Sequence, residues 1–237
     1  MKTLKGTYGY IAQGAAVVPT IPPTIPEYSN LGVISGIITY DGNGNHSGES
    51  FSNIGGFLLA DTFTGTQIVN PDCTFSGQHV SNTDGSISNY WGTITGNGLT
   101  QEIHFIDTDL FYVAYGTVYK IPGQCSLSTL EGRYAFFGQG TRADNALATR
   151  VGIITYDGQG NLAGNGKLAL NGNAAVPDAF TGTYTIAANC TVWAQINDSA
   201  FLPATFIEVG RITRGGTEVD LIIADPGFVF AEAMRKQ

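Results

Sequence analysis

Charge is the scarcest resource in this 237-residue chain. Only 13% of its residues are Asp, Glu, Lys or Arg, and they leave a formal net charge of −8. With no Lys/Arg cluster to offset that sign, the phosphate backbone of a nucleic acid is excluded as a partner. Long apolar runs are missing too. None approaches the ~20 residues of a membrane-spanning helix, so no membrane insertion is expected. The chain also lacks a Gly-x-Ser-x-Gly elbow, a phosphate loop, a dinucleotide fingerprint, His-Glu-x-x-His and Cys-x-x-Cys. Those gaps remove the usual signatures of hydrolase, nucleotide, zinc-protease and thiol redox chemistry, and no cofactor is expected. Histidine is confined to His46, His79 and His104, all in the first half. His46 reads as a turn residue, and His104 shares a face with Thr100 and Glu102, opposite Ile103 and Phe105. A shared metal site is therefore not expected.

What is present is a duplication. Gly36-Ile37-Ile38-Thr39-Tyr40-Asp41-Gly42 returns as Gly152-Ile153-Ile154-Thr155-Tyr156-Asp157-Gly158, and Phe63-Thr64-Gly65-Thr66 as Phe180-Thr181-Gly182-Thr183. Cys73-Thr74 returns as Cys190-Thr191, and Leu4-x-Gly6-x-Tyr8 as Leu130-x-Gly132-x-Tyr134. The separation is 116 or 117 residues, and 126 at the first strand. Solenoid repeats run roughly 20–50 residues, so each copy is a domain with its own core. The expected division is 1–121 and 122–237.

The 32 glycines and the shortage of helix formers favour short strands and tight turns. Apolar alternation places strands near 5–13, 32–41, 45–54, 62–70, 73–82, 87–95, 99–107 and 110–120. In the second copy they fall near 131–139, 149–157, 161–171, 179–187, 190–197, 202–212, 217–224 and 227–235. Asp41-Gly42-Asn43-Gly44 and Asp157-Gly158-Gln159-Gly160 read as hairpin turns rather than calcium loops. Antiparallel strands in sequence order close into an up-and-down barrel of about eight strands, twice over. One insertion breaks the symmetry: residues 17–29 of the first copy carry four prolines in eight residues, Pro19 to Pro26. Such a stiff segment serves as a lid, an interface arm or a brace between modules.

The repeat pairs Cys125 with Cys190, because the first copy keeps Cys73 at the position of Cys190 and has nothing at that of Cys125. Three buried thiols are the alternative. Asn45, Asn189 and Asn197 open N-x-Ser/Thr sequons, which together with the disulfide suggest a secreted or secretory-pathway protein. No signal peptide opens the chain, so a mature form is expected.

Candidate site residues are polar groups on apolar faces and clustered aromatics. Glu232 shares a strand face with Phe228, Phe230 and Met234, and Glu208 lies on the Phe206 side of its strand. A desolvated carboxylate suits proton transfer. Glu232, Tyr10 and Tyr112 are the catalytic candidates. Tyr8, Tyr90, Trp91, Tyr115, Phe228 and Phe230 are the ligand-binding candidates. The tyrosines make the first copy the expected seat of a cavity.

The repeated Leu-x-Gly-x-Tyr, Gly-Ile-Ile-Thr-Tyr-Asp-Gly-x-Gly-Asn, Phe-Thr-Gly-Thr and Asp/Asn-Cys-Thr resemble a set of secreted microbial β-barrel modules similar in shape to calycins, the lipocalin-like barrels. The likeness spans both halves and rests on turn and core residues, so it implies fold. Barrels of this kind also serve in natural-product pathways as cofactor-free cyclases, including fungal Diels–Alder and hetero-Diels–Alder enzymes, although no catalytic residue of theirs matches a position here. The resemblance implies a cyclase holding a small hydrophobic intermediate in a barrel cavity. Two other readings stay open: a carrier of a small hydrophobic ligand, and a structural or interaction module with filled barrels. A homodimer is compatible with each. A pocket of roughly 300–1,000 Å³ separates the first two from the third.

Overall fold

The computed structural model describes residues 4–16, 31–97, 101–110, 112–121, 123–142, 146–201 and 204–237, with Ala16 and Tyr112 described by backbone alone. The proline-rich insertion over 17–29 and the Tyr112 side chain thus lie outside the described residues.

Two closed, antiparallel, eight-stranded barrels make up the fold, as expected from the sequence. Barrel one comprises β1 (Lys5–Ala16), β2 (Leu31–Asp41), β3 (Asn45–Ile54), β4 (Phe57–Val69), β5 (Thr74–Ser81), β6 (Ile87–Thr95), β7 (Glu102–Asp107) and β8 (Tyr112–Lys120). It closes where β1 pairs with β8, Ala12 opposite Gly116. Barrel two comprises β9 (Glu131–Thr141), β10 (Leu147–Asp157), β11 (Asn161–Leu170), β12 (Val176–Ile186), β13 (Thr191–Asp198), β14 (Thr205–Thr213), β15 (Glu218–Ile223) and β16 (Val229–Lys236). It closes between β9 and β16, Gly138 opposite Glu232. Strand β4 starts five residues earlier than the alternation suggests. Gly55 and Gly56, both at positive φ, turn the chain just before Phe57, and side-chain pattern carries no trace of that backbone turn.

The repeated turns are built alike. Asp41 accepts the backbone N–H of Asn43 at 2.6 Å and of Asn45 at 3.0 Å, and its other oxygen takes the Asn45 amide at 2.7 Å. Asp157 does the same with Gln159 and Asn161. These donors hold the Asp41 carboxyl down at about 2. Both cysteine turns also match, with Cys73 and Cys190 each at φ 67°. In barrel two the turn is tied by the Cys125–Cys190 disulfide, while Cys73 is a free thiol. Closing a loop with a sequence separation of 65 restricts the unfolded chain by about 4 kcal/mol in the loop-entropy picture.

The glycines explain how barrels this small are filled. Large rings lie across glycines of neighbouring strands: Tyr10 over Gly36, Phe63 over Gly48, and Phe105 over Gly116. In barrel two Phe136 covers Gly152 and Phe180 covers Gly164. A methyl at any of these positions would occupy the space of the ring. Pairing a large inward side chain with an absent one is how an eight-stranded barrel packs its taper.

Candidate functional site

Three places in the fold gather chemistry: each lumen and the outer wall of barrel one. In the lumen of barrel one, strand alternation turns Tyr8, Ile38, Tyr40, Phe63, Phe75, Tyr90 and Ile103 inward, into one buried cluster. Tyr8 sits at one end, its hydroxyl donating to Gln101 Oε1 and its ring beneath the Lys120 ammonium, 5.3 Å from the centroid. Tyr134 repeats this in barrel two, donating to the Gly216 carbonyl at 2.8 Å beneath Lys236. Tyr8 therefore closes the end of its barrel.

His46 corrects the sequence reading. It lies in β3, within the strand expected over 45–54, and it is 4% exposed with its ring pointing into the lumen rather than standing in a turn. Its Nδ1 shares a hydrogen bond with Gln67 Oε1 at 2.7 Å, an oxygen that can only accept, so Nδ1 carries the proton. The start of β3, Asn45-His46-Ser47-Gly48-Glu49, is polar or small throughout, so it carries no apolar alternation to mark the side that faces inward. His79 stacks between Phe63, 4.9 Å away by ring centroids, and Tyr90, 5.9 Å away. Burial drives its pKa down to about 4, helped by repulsion from His46. Both imidazoles are neutral at pH 7. Tyr10, Tyr40, His79 and Tyr90 line a hollow of about 40 Å³ together with Ile38, Phe63, Phe75, Phe105 and Val118. That is space for a few water molecules.

The lumen of barrel two is filled by charge and rings. Arg150 extends inward from β10 and is 3% exposed. Its Nε lies 3.2 Å from Asp178, one terminal nitrogen 3.4 Å from Asp198, and the other 3.2 Å from Glu232. Its guanidinium also faces the rings of Phe136, Phe180 and Phe201 at 5.1, 4.6 and 5.5 Å. Burial works against its charge, but Glu232, Asp178, Glu208 and Asp198 outweigh it and raise its pKa. Phe228 and Phe230 pack with Phe201 and Phe206 into an aromatic plug, Phe201 stacking on Phe228 at 5.6 Å. Glu232 thus faces inward, held by Arg150. The signal for Arg150 was legible by the rule that singled out Glu232: it alternates with Ala148, Ile154 and Tyr156 on one buried face.

Trp91 and Tyr115 do not line a lumen. Trp91 follows the inward Tyr90 and so projects outward, 44% exposed, and Tyr115 precedes the inward Gly116 and is 55% exposed. Aromatic character made them ligand candidates, and strand parity decides their side. They stand in one row across β6, β7 and β8, Trp91 opposite Ile106 and Ile106 opposite Tyr115. The result is an open groove of about 220 Å³ bounded by Thr93, His104, Phe105, Ile106, Trp91 and Tyr115. His104 is on this outer face, 3.0 Å from Glu102, as its alternation suggested. Tyr115 accepts a hydrogen bond from the Gln13 amide.

The sequon asparagines Asn45, Asn189 and Asn197 are exposed. Each already uses its side chain: Asn45 on Asp41, Asn189 on Thr191, Asn197 on Thr205. Among the described residues no three His, Cys, Asp or Glu side chains converge to hold a metal ion, and no helix is long and apolar enough to cross a membrane. No protein-family model matches the chain, and no curated protein matches it.

Proposed function

We propose that this chain is a binding protein for a small, ring-shaped, largely apolar ligand, taken on the outer wall of barrel one while the two lumens serve as frameworks. The comparison of volumes carries this reading: about 220 Å³ at the Trp91–Ile106–Tyr115 groove against about 40 Å³ inside barrel one. Trp and Tyr offer flat apolar faces with a polar edge, and Thr93 and His104 border the groove with hydrogen-bonding groups. A ligand seated there stays partly in water, since the groove is below the usual range for enclosing pockets. A disulfide suits an oxidising, extracellular setting for such a protein.

Trp91 makes the test simple, because the chain has two tryptophans, Trp91 and Trp193. In the Trp193→Phe protein, titration with small aromatic and alicyclic ring compounds should give a saturable change in Trp91 fluorescence. Adding Tyr115→Ala should abolish it, and the lumen variant His79→Leu should leave it intact. Saturable binding that survives Tyr115→Ala but not His79→Leu would move the site into the lumen.

The second reading is cofactor-free cyclisation inside barrel one, favoured by the neutral His79 and the hydroxyls of Tyr10, Tyr40 and Tyr90 around the hollow. Holding two reacting ends in register removes roughly 7–11 kcal/mol of barrier in good intramolecular cases. It requires the lining rings to part, since a folded intermediate exceeds the resting space. Incubation with reactive diene substrates and chiral analysis of the product tests it. A racemic product at the background rate would exclude it.

A further inference from the structure

Barrel two carries more acid than its interior can leave ionised. Arg150 of β10 brings one positive charge, and facing it are Asp178 of β12, Asp198 of β13, Glu208 of β14 and Glu232 of β16, all buried. Tyr156 of β10 stands beside Glu208 and Glu232, with Tyr134 of β9 and Tyr184 of β12 beyond it. Strands β11 and β15 add only apolar groups on this side, among them Leu162, Leu168, Val219 and Leu221. Arg142, just past β9, lies over the Phe201 ring at 6.0 Å. Even with Arg142 counted beside Arg150, four carboxylates would leave an excess of two negative charges among Phe136, Phe180 and Phe201. An interior of low dielectric neutralises such groups rather than paying their full desolvation.

We propose that barrel two closes around protons: in mild acid the carboxyls of Asp178, Glu208 and Glu232 are held as acids around the Arg150 guanidinium, and raising the pH ionises the lumen and loosens the barrel. Asp198 is fixed in place, its Oδ1 accepting the backbone N–H of Ala200 at 2.9 Å and of Phe201 at 3.2 Å. The Asp178 and Asp198 carboxyls face the Arg150 guanidinium together, 3.2 and 3.4 Å from its nitrogens. Burial raises the Asp178 carboxyl to about 7 against the pull of Arg150. Burial and repulsion from Glu232 lift Glu208 well above the carboxylate range, and burial lifts Glu232. Each acid holds its proton more tightly folded than unfolded. The stabilisation is therefore complete below the ordinary carboxylate pKa of about 4 and is lost as pH rises through the raised values.

Infrared spectroscopy of the full chain reads the proton directly, through the carbonyl band of a buried carboxylic acid. The band should be present at about pH 6, diminish toward about pH 9, and be smaller in Glu208→Gln and in Asp178→Asn. The thermal midpoint should fall across the same range in the native chain, and the fall should be lost in the Asp178→Asn/Glu208→Gln double variant. A native chain without the band at about pH 6, or with a midpoint that does not fall, overturns the proposal. If the double variant does not fold, the band in the native chain decides.

Discussion

The two barrels share strand order, turns and the rings that close one end, yet they fill their lumens with opposite chemistry. Barrel one places His46 and His79 beside Tyr40 and Tyr90 among apolar rings, and its two imidazoles stay neutral by giving up protons. Barrel two places one arginine among four acids, three of which stay neutral by keeping protons. Register maps the exchange position by position. Ile34 stands where Arg150 does, Ser81 where Asp198 does, Tyr90 where Glu208 does, and Gly116 where Glu232 does. The lesson is that a barrel of this size fixes the shape of its interior and leaves the sign of the interior charge open. Glycine opposite a large ring sets the volume, and the remaining positions can be polar provided that they neutralise one another.

The sharpest way to break this comparison is to remove the cation. Arg150→Met should leave the carboxyls around it without their cation and lower the stability of barrel two by about 3–5 kcal/mol, while Ile34→Met at the matching place should cost under about 1.5 kcal/mol. Chemical denaturation followed by the fluorescence of single-Trp variants separates the two effects. Next in size is the disulfide: Cys125→Ala should cost barrel two about 2–4 kcal/mol and leave barrel one unchanged. His79→Phe should remove up to about 3 kcal/mol of acid sensitivity from barrel one. The folded His79 holds its proton more weakly than an unfolded histidine, so its contribution is complete above about 6.5 and disappears as pH falls through about 4. Gly48→Ala, which puts a methyl where the Phe63 ring lies, should cost about 1–3 kcal/mol. Smallest of all, Tyr115→Ala on the outer wall should change stability by no more than about 0.5 kcal/mol while removing ligand binding.

Alternation and turn chemistry made the fold legible almost strand by strand, because a barrel with one wet face and one packed face imposes period two throughout. The disulfide was legible because the duplication supplied an internal control at Cys73. The site was only half legible. Glu232 was recognised as a carboxylate on an apolar face, but the same reasoning applies to Arg150 and Asp178, and they went unnoticed without a motif to draw attention to them. Asp178 sits between Pro177 and Ala179, a stretch that reads as the end of a turn, whereas β12 already begins at Val176. Trp91 and Tyr115 were misplaced for a simpler reason. Tyr90 and Trp91 are neighbours, only one of them can face inward, and composition does not say which.

The central claim is that opposite interior charge makes the two barrels respond to pH in opposite directions. Hydrogen–deuterium exchange of the full chain, resolved into peptides and corrected for intrinsic rates, measures both at once. Between about pH 6.5 and about pH 4, peptides of β3–β6 should lose protection while those of β12–β14 and β16 hold or gain it. Above about pH 7, only the barrel-two peptides should open. Parallel changes in both barrels, or a barrel two that tightens as the pH rises, would contradict the account.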